Sequence, residues 1–140
     1  MESDKPLSYL QFVTAVLGFG IALVAFRGPL DAIRIVGLAL AASALVLFLV
    51  AKVQLGDSFS ILPEAHTLVT RGIYSKIRHP IYFFSAFLIF GLALFAERPV
   101  FLLVFAVIIP VQILRMRRED KVLEEKFGDE YRRYRQNAWF

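Results

Sequence analysis

Long uncharged apolar runs dominate this sequence, and they limit the folds that it can adopt. Residues 7–26 and 35–51 carry no charged side chain over twenty and seventeen positions. Residues 81–96 and 99–114 add sixteen positions each, separated by one acidic and one basic residue. A helix needs about 20 apolar residues to cross the hydrocarbon core of a bilayer, within a range of ~17–25. These runs therefore predict an integral membrane protein built from helices.

The composition agrees with this class of protein. The chain has 140 residues, of which 58% are hydrophobic, whereas soluble globular chains contain ~45–50% apolar residues. Its length predicts a single domain over residues 1–140. With no cysteine and two histidines, a disulfide scaffold, a thiolate nucleophile and a structural zinc site are excluded. We expect no metal.

Four transmembrane helices are predicted from the runs and their flanking residues, at about 7–26, 33–52, 80–96 and 99–115. The segment Glu97-Arg98-Pro99 reads as a turn, because proline suits the first turn of a helix and disfavours its interior. The last two spans therefore form an antiparallel helical hairpin. Pro110 lies inside the fourth span and is expected to kink it.

The distribution of lysine and arginine predicts the orientation of these spans. The N-terminus begins with Glu2, Asp4 and Lys5, which is not the positive region of a cleaved signal peptide, so we interpret 7–26 as a retained helix. Thirteen cations fall on the side of the termini and the 52–80 loop, against three on the other side. Both termini are thus expected in the cytoplasm, with the protein in the plasma membrane of a prokaryote or the endoplasmic reticulum of a eukaryote. Topology and anionic lipid account for the net charge of +4, so no nucleic-acid partner is needed.

The tail, residues 115–140, carries an apolar stripe at helical spacing, formed by Leu123, Phe127, Tyr131 and Tyr134. It predicts an amphipathic cytoplasmic helix that lies either on the lipid headgroups or over the loop. Gly128 should interrupt this helix, and Asp129 could cap a second short one.

The loop of residues 53–79 faces the same water as the tail. Gly72 permits a left-handed turn, and Pro80 biases His79 away from helical geometry while suiting the first turn of the third span. Arg78 and His79 therefore lie at the N-terminus of a transmembrane helix, where an anion is favoured. Taken singly, Arg78 and Tyr82 are typical of interfacial anchors, and a lone His79 is more typical of a hydrogen-bonded interface residue than of a catalyst.

Two separated blocks of this sequence resemble the isoprenylcysteine carboxyl methyltransferase family. The first block reads His66-Thr67-Leu68-Val69-Thr70-x-Gly72-x-Tyr74-x-x-x-Arg78-His79-Pro80-x-Tyr82. The second follows the hairpin and comprises Arg115, Glu119-Asp120, Leu123, Phe127-Gly128, Tyr131 and Tyr134. Together they cover roughly residues 55–134. The Arg-His-Pro element alone is shared with related phospholipid methyltransferases and sterol reductases.

The resemblance implies an integral-membrane methyltransferase that uses S-adenosyl-L-methionine, releases S-adenosyl-L-homocysteine and has no Rossmann fold. The cofactor would lie between the loop before the hairpin and the helix after it. Its contacts would fall on His66, Thr67, Leu68, Val69, Tyr74, His79, Pro80, Ile81, Tyr82 and Glu119. Arg115 would face the acceptor, a lipid-linked prenylcysteine-like substrate. The sequence departs from the family pattern at Asp120, where a glutamate is usual, and at Phe59, where the family can have an amide.

The chemistry of methyl transfer agrees with these residue types. An in-line displacement at a sulfonium methyl group needs proximity and alignment, which supply ~7–11 kcal/mol of such a barrier. A carboxylate acceptor needs no general base, and the planar fork of Arg115 can grip it through two hydrogen bonds. Glu119 lies four residues later on the same helical face and could accept hydrogen bonds from the cofactor. Arg78 and His79 could hold the methionyl carboxylate.

Tyr74 and Tyr82 offer aromatic faces for the sulfonium or the adenine of the cofactor. A cation over such a ring is favourable by ~0.5–2 kcal/mol. These tyrosines belong to the candidate cofactor site, whereas Arg115 and Glu119 are the candidate catalytic residues.

Three other functions remain open at this level. Amine methylation of phosphatidylethanolamine requires a deprotonated ammonium, so a base near Arg115 would be expected and the arginine itself would not help. A reductase of the sterol type would use NADPH. The second block argues against a reductase, because it resembles that of the methyltransferases. A membrane scaffold without enzymatic activity would bind anionic lipid through its tail.

Overall fold

The computed structural model describes residues 20, 28–56, 68–98 and 100–139 of the chain. The predicted first span, residues 7–26, lies outside the described residues except for Gly20. The predicted cofactor residues His66 and Thr67 lie outside them as well.

The described residues form four α-helices and one short 3₁₀ turn, with no strand among them. The helices are α1, Ala32–Leu55; α2, Pro80–Ala96; α3, Val100–Phe127; and α4, Asp129–Asn137. The 3₁₀ turn, Gly72–Ser75, precedes α2. The prediction of an all-helical protein is confirmed.

Helices α1 and α2 correspond to the second and third predicted spans. Helix α1 extends the predicted 33–52 by one residue at its start and three at its end, and α2 coincides with the predicted 80–96. Within the described part of the chain, α1 is the one helix both long and apolar enough to cross a membrane, and α2 is apolar but only 17 residues long. The full set of four spans stays a prediction.

The predicted fourth span and the first part of the tail are a single helix. Helix α3 runs for 28 residues and continues on both sides of Pro110. Arginine, glutamate and lysine are good helix formers, so nothing between Leu114 and Phe127 ends the helix. It ends at Gly128, whose φ of 51° is open to glycine at low cost. Gly128, rather than Asp129, holds the cap position of α4, and Asp129 is the first helical residue.

The backbones of α1 and α2 approach each other closely because both carry glycine at the crossing. A Cβ atom on Gly37 would lie 2.6 Å from the Phe95 nitrogen, and one on Gly91 would lie 2.6 Å from the Ala41 nitrogen. Small residues permit this kind of contact between membrane helices, where van der Waals packing drives association. We refer to this contact between α1 and α2, at Gly37 and Gly91, as the seam. It fixes the position of α2 relative to α1, and with it the position of His79 at the start of α2.

The 3₁₀ turn packs on the same two helices. Tyr74 is buried in a cluster with Phe48 and Ala51 of α1 and Phe84 of α2. The side chain of Gln54 accepts a hydrogen bond from the Ile73 nitrogen at 2.8 Å. The loop segment before α2 is therefore anchored to α1 and α2.

An ion pair closes the opposite end of α1 and α2. Arg34 and Glu97 approach to 2.7 Å between Nη2 and Oε2, and Glu97 ends α2 in a left-handed conformation with φ 48°. This confirms a turn after Ala96. The pair and His79 lie at the two ends of α2, about 25 Å apart at 1.5 Å per residue.

Large apolar side chains face outward along α1 and α3. They include Val36, Val46, Leu103, Val107 and Leu114, each at least 55% exposed. An exposed apolar surface of this extent marks contact with a membrane or another protein. Because it runs along the apolar helices, it agrees with a surrounding bilayer.

Candidate functional site

The loop before α2 and the C-terminal part of the chain meet at one carboxylate. Asp120 of α3 accepts a hydrogen bond from His79 Nε2 at 2.7 Å and another from the Tyr131 hydroxyl, both at Oδ1. Its Oδ2 lies 3.5 Å from Arg78 Nη1. We refer to Arg78, His79, Asp120 and Tyr131 as the Asp120 cluster. It joins the loop, α3 and α4.

Local backbone geometry brings the loop residues to this point. His79 precedes Pro80, the first residue of α2, and has φ −122° and ψ 57°, as expected for a residue before proline that is kept out of the helix. Its side chain is 7% exposed. On the other side, Gly128 turns the chain so that α4 brings the fully buried Tyr131 back to Asp120.

The charges of the Asp120 cluster stabilise one another. Burial disfavours the charged ring of His79, but the interactions with Asp120 and Glu119 outweigh burial and raise the pKa of His79 to about 9. Burial also opposes the charge on Asp120, yet the hydrogen bonds from His79 and Tyr131 hold the pKa of its carboxyl below its usual range. At neutral pH the cluster therefore contains an imidazolium and a carboxylate.

Two further hydrogen bonds tie the C-terminal residues to the loop. The Tyr134 hydroxyl donates to the Tyr74 carbonyl oxygen at 2.6 Å. The Trp139 nitrogen donates to the Lys76 carbonyl oxygen at 2.8 Å. Of the two arrangements that the sequence left open for the amphipathic tail, these contacts support packing of α4 over the loop.

A second group of polar side chains lies on the facing sides of α2 and α3. The Arg115 guanidinium carbon is 5.8 Å from the centroid of the Tyr82 ring, and the Tyr82 side chain also interacts with Glu119. We refer to Tyr82, Arg115 and Glu119 as the Arg115 cluster. Glu119 Oε2 lies 3.6 Å from His79 Nδ1, so the two clusters adjoin.

Glu119 differs from its neighbour Asp120 in how its oxygens are used. Its Oε2 atom is buried and has no hydrogen-bond partner among the described residues, and the 3.6 Å approach of His79 exceeds hydrogen-bonding distance. The charged His79 ring attracts this oxygen, but at that distance the hydrogen-bonding capacity of the oxygen stays unused, which is unfavourable for a buried acceptor. The position therefore suits a ligand that brings a hydroxyl or amino group.

A comparison with protein families finds a match to one family model. The model for phospholipid methyltransferases matches residues 31–130, which is 100 of the 140 residues of this chain. The chain belongs to the phospholipid methyltransferase family. The match begins at the cap of α1 and ends next to Tyr131, so it includes both clusters except that tyrosine. A comparison with curated proteins finds no match.

Membership of the phospholipid methyltransferase family is a broader assignment than the one that the sequence suggested. The family supports a membrane methyltransferase with a lipid substrate, whereas the resemblance suggested the narrower isoprenylcysteine carboxyl methyltransferases. The narrower assignment and the prenylcysteine acceptor stay proposals.

The structure brings together most of the predicted site residues that it describes. Arg78 and His79 lie in the Asp120 cluster, and Tyr82, Arg115 and Glu119 form the Arg115 cluster. Pro80 and Ile81 are in the first turn of α2, between the clusters. Val69 and Ile81 pack against the core formed around Tyr74, while Leu68 is half-buried in the segment before the 3₁₀ turn.

Two tyrosines and Asp120 acquire roles that the sequence did not assign. Asp120 stood out only as a departure from a family pattern, and Tyr131 and Tyr134 only as members of an apolar stripe. Tyrosine among the apolar residues of such a stripe carries a hydroxyl that needs a partner when buried. That signal points to polar contacts beneath α4 but not to the carboxylate that provides them.

Proposed function

We propose that this protein transfers the methyl group of S-adenosylmethionine to the polar headgroup of a membrane-anchored acceptor at the Arg115 cluster. The observation that supports this most directly is the buried Glu119 oxygen without a hydrogen-bond partner among the described residues. It lies beside a guanidinium and an aromatic ring, in a chain whose family is that of the phospholipid methyltransferases.

The residues fit the cofactor in the following way. Bound against the Arg115 cluster, S-adenosylmethionine would supply an electrophilic methyl group on a sulfonium. Glu119 would accept hydrogen bonds from its hydroxyl or amino groups, and the face of Tyr82 would favour its positive charge or its adenine ring. The Tyr74 ring is buried among Phe48, Ala51 and Phe84, so its faces are not offered to the cofactor. His79, Pro80 and Ile81 would form the wall at the start of α2.

Arg115 is proposed to hold the acceptor where the apolar part of α3 ends. A guanidinium binds a carboxylate through two parallel hydrogen bonds, and its contact with the Tyr82 ring orients it. Holding both reactants in alignment supplies the main part of the rate enhancement for a displacement of this kind.

A lipid-anchored carboxylate, such as that of an S-isoprenylcysteine, is the first candidate acceptor. It is already a nucleophile and needs no proton removed. His79, the imidazole that adjoins Glu119, has a pKa of about 9 and carries its proton at neutral pH, so it is poorly suited to act as a base.

The amine of phosphatidylethanolamine is the second candidate, and the family match favours it. Arg115 would then bind the phosphate, for which its planar fork is equally suited. The Tyr82 ring and the Glu119 carboxylate would attract the ammonium group. This reaction requires a group that removes a proton from the ammonium before transfer.

An assay with radiolabelled cofactor separates the two acceptors. Purified protein in phosphatidylethanolamine-containing vesicles is supplied with a synthetic S-prenylated cysteine, and labelled product is treated with base. Label released by base as volatile methanol reports a methyl ester, whereas label that stays non-volatile on the headgroup amine reports an N-methyl group. Label in neither acceptor contradicts the proposal, and binding of NADPH instead of S-adenosylhomocysteine in calorimetry would indicate a reductase.

Substitution of Arg115 tests its role in acceptor binding. We expect Arg115→Gln to lower kcat/KM for the acceptor by about 10- to 100-fold, the range for a lost hydrogen bond to a charged group. The affinity for S-adenosylhomocysteine should change little. Arg117→Gln removes the same charge from an exposed site two residues along α3 and should stay within twofold of the wild type. Equal losses in both variants would argue for a general effect of charge.

A further inference from the structure

The two adjacent carboxylates of α3, Glu119 and Asp120, differ in their hydrogen bonding. Glu119 has a buried oxygen without a hydrogen-bond partner among the described residues. Asp120, by contrast, receives hydrogen bonds from His79 and Tyr131 and an ion-pair contact from Arg78. Adjacent residues on a helix point about 100° apart, which lets one face the Arg115 cluster while the other faces α4.

Asp120 joins three segments that are far apart in the chain. Residues 78 and 79 end the loop, residue 120 belongs to α3, and residue 131 belongs to α4. The same two sides are also joined by the Tyr134–Tyr74 and Trp139–Lys76 hydrogen bonds, whose acceptors are neutral carbonyl oxygens, whereas the carboxylate of Asp120 is an ionised acceptor. Hydrogen bonds to a charged group are roughly twice as strong as those between neutral groups.

Tyr131 is the remote member of this arrangement. Its side chain is fully buried, with 0% exposure, and its hydroxyl donates to Asp120. On the side of α4, Tyr131 therefore stabilises the orientation of the Asp120 carboxylate. On the side of α2, that carboxylate accepts the hydrogen bond of His79 and so fixes the His79 ring. His79 in turn adjoins Glu119 at 3.6 Å.

We propose that Asp120 is a positioning residue, which holds His79 and α4 in place around the cofactor site, and that Glu119 alone of the pair binds the cofactor. This inference rests on the proposed function. It assigns a role in cofactor affinity to Tyr131, whose hydroxyl donates to Asp120 and not to a member of the Arg115 cluster.

Calorimetric binding of S-adenosylhomocysteine to the full chain in detergent tests this assignment. We expect Asp120→Asn to weaken binding about tenfold and Tyr131→Phe about threefold, in line with a lost charged and a lost single hydrogen bond. The double variant should bind about as weakly as Asp120→Asn alone, because the two residues act through one contact. Asp120→Glu, which keeps the charge, should recover part of the affinity.

The control removes a carboxylate from the exposed face of the same helix. Glu125 pairs only with Lys121 at 3.9 Å among the described contacts and is 66% exposed, so Glu125→Gln should bind like the wild type. If Tyr131→Phe binds like the wild type while Asp120→Asn does not, Asp120 is itself a cofactor ligand and the proposal is overturned. Additive losses in the double variant would overturn it as well.

A readout without any ligand distinguishes this proposal from the proposed function. The chain has two histidines, so ¹⁵N-labelled imidazoles can be followed by NMR, with His79→Gln giving the assignment. Both Asp120→Asn and Tyr131→Phe should lower the pH at which His79 loses its proton, the first by more. Failure of the wild type to bind S-adenosylhomocysteine would reject the proposed function, whereas an unchanged His79 titration in both variants would reject the positioning role.

Discussion

At the scale of single residues, the site depends on two neighbouring carboxylates in different surroundings. Asp120 is surrounded by donors, so its charge is stabilised by the protein itself. Glu119 is one residue away, yet one of its oxygens is buried without a donor among the described residues. The protein thus satisfies the hydrogen bonding of one carboxylate and leaves that of its neighbour incomplete among the described residues.

The pairing of His79 with Asp120 predicts how stability depends on pH. The pKa of His79 rises from an ordinary value of 6.5 to about 9, so its contribution is fully present below pH 6.5 and is lost as the pH rises through 9. We expect this contribution to be on the order of 3 kcal/mol. Because the pKa of Asp120 is lowered, its own contribution declines as the pH falls through the acidic range.

Unfolding in detergent between pH 6 and pH 10 measures this dependence. The wild type should lose stability across the upper part of that range, whereas Asp120→Asn should start lower and change less. Glu125→Gln should follow the wild-type profile. A wild-type curve that is flat from pH 7 to pH 10 would contradict a protonated His79.

At the scale of helices, the seam between α1 and α2 determines where the loop and His79 lie. Gly37 and Gly91 leave room for the facing backbone, and the Tyr74 cluster anchors the 3₁₀ turn on the same two helices. A change in the seam should therefore disturb the site at the far end of α2.

The variant Gly91→Val tests how closely α1 and α2 approach at the seam. A Cβ atom there would lie 2.6 Å from the Ala41 nitrogen, which is backbone and cannot rotate away. We expect Gly91→Val to destabilise the protein by about 1–3 kcal/mol through overpacking and to weaken binding of S-adenosylhomocysteine. Ala106→Val adds a similar side chain at an exposed position of α3 and should be nearly neutral in thermal unfolding. Equal stability of the two variants would mean that the helices are farther apart.

At the scale of the whole molecule, the site and the Arg34–Glu97 pair lie at opposite ends of α1 and α2. The lysine and arginine distribution predicts that the site faces the cytoplasm. The exposed apolar side chains between the two ends agree with a bilayer around them.

Single-cysteine variants test this orientation, because the chain has no cysteine of its own that a thiol reagent could label. Glu130 and Arg98 are both exposed and lie at the site end and the opposite end. In intact cells, a membrane-impermeant thiol reagent should label Arg98→Cys and spare Glu130→Cys, and permeabilised cells should show both. The reverse pattern would place the site outside the cytoplasm.

The sequence predicted the elements better than the contacts. The α2 boundaries, the turn after Ala96 and the break at Gly128 follow from apolar runs, proline and glycine, which act locally. The change from apolar to charged residues at Arg115 predicts the limit of a membrane span, but it does not predict that the same helix continues to Phe127. A bilayer changes the preferred side chains at that depth, but it does not interrupt the hydrogen bonds of a helix.

The sequence by itself determined an all-helical protein with long apolar runs, and a polar loop and a polar tail that flank the last two of these runs. These follow from hydropathy and local backbone preference, which are encoded within short segments. Only the tertiary structure decided that Asp120, and not Glu119, would receive His79 and Tyr131. That choice depends on the direction of each side chain on α3 and on the turn at Gly128, which together place residues 41 and 11 positions apart at one carboxylate.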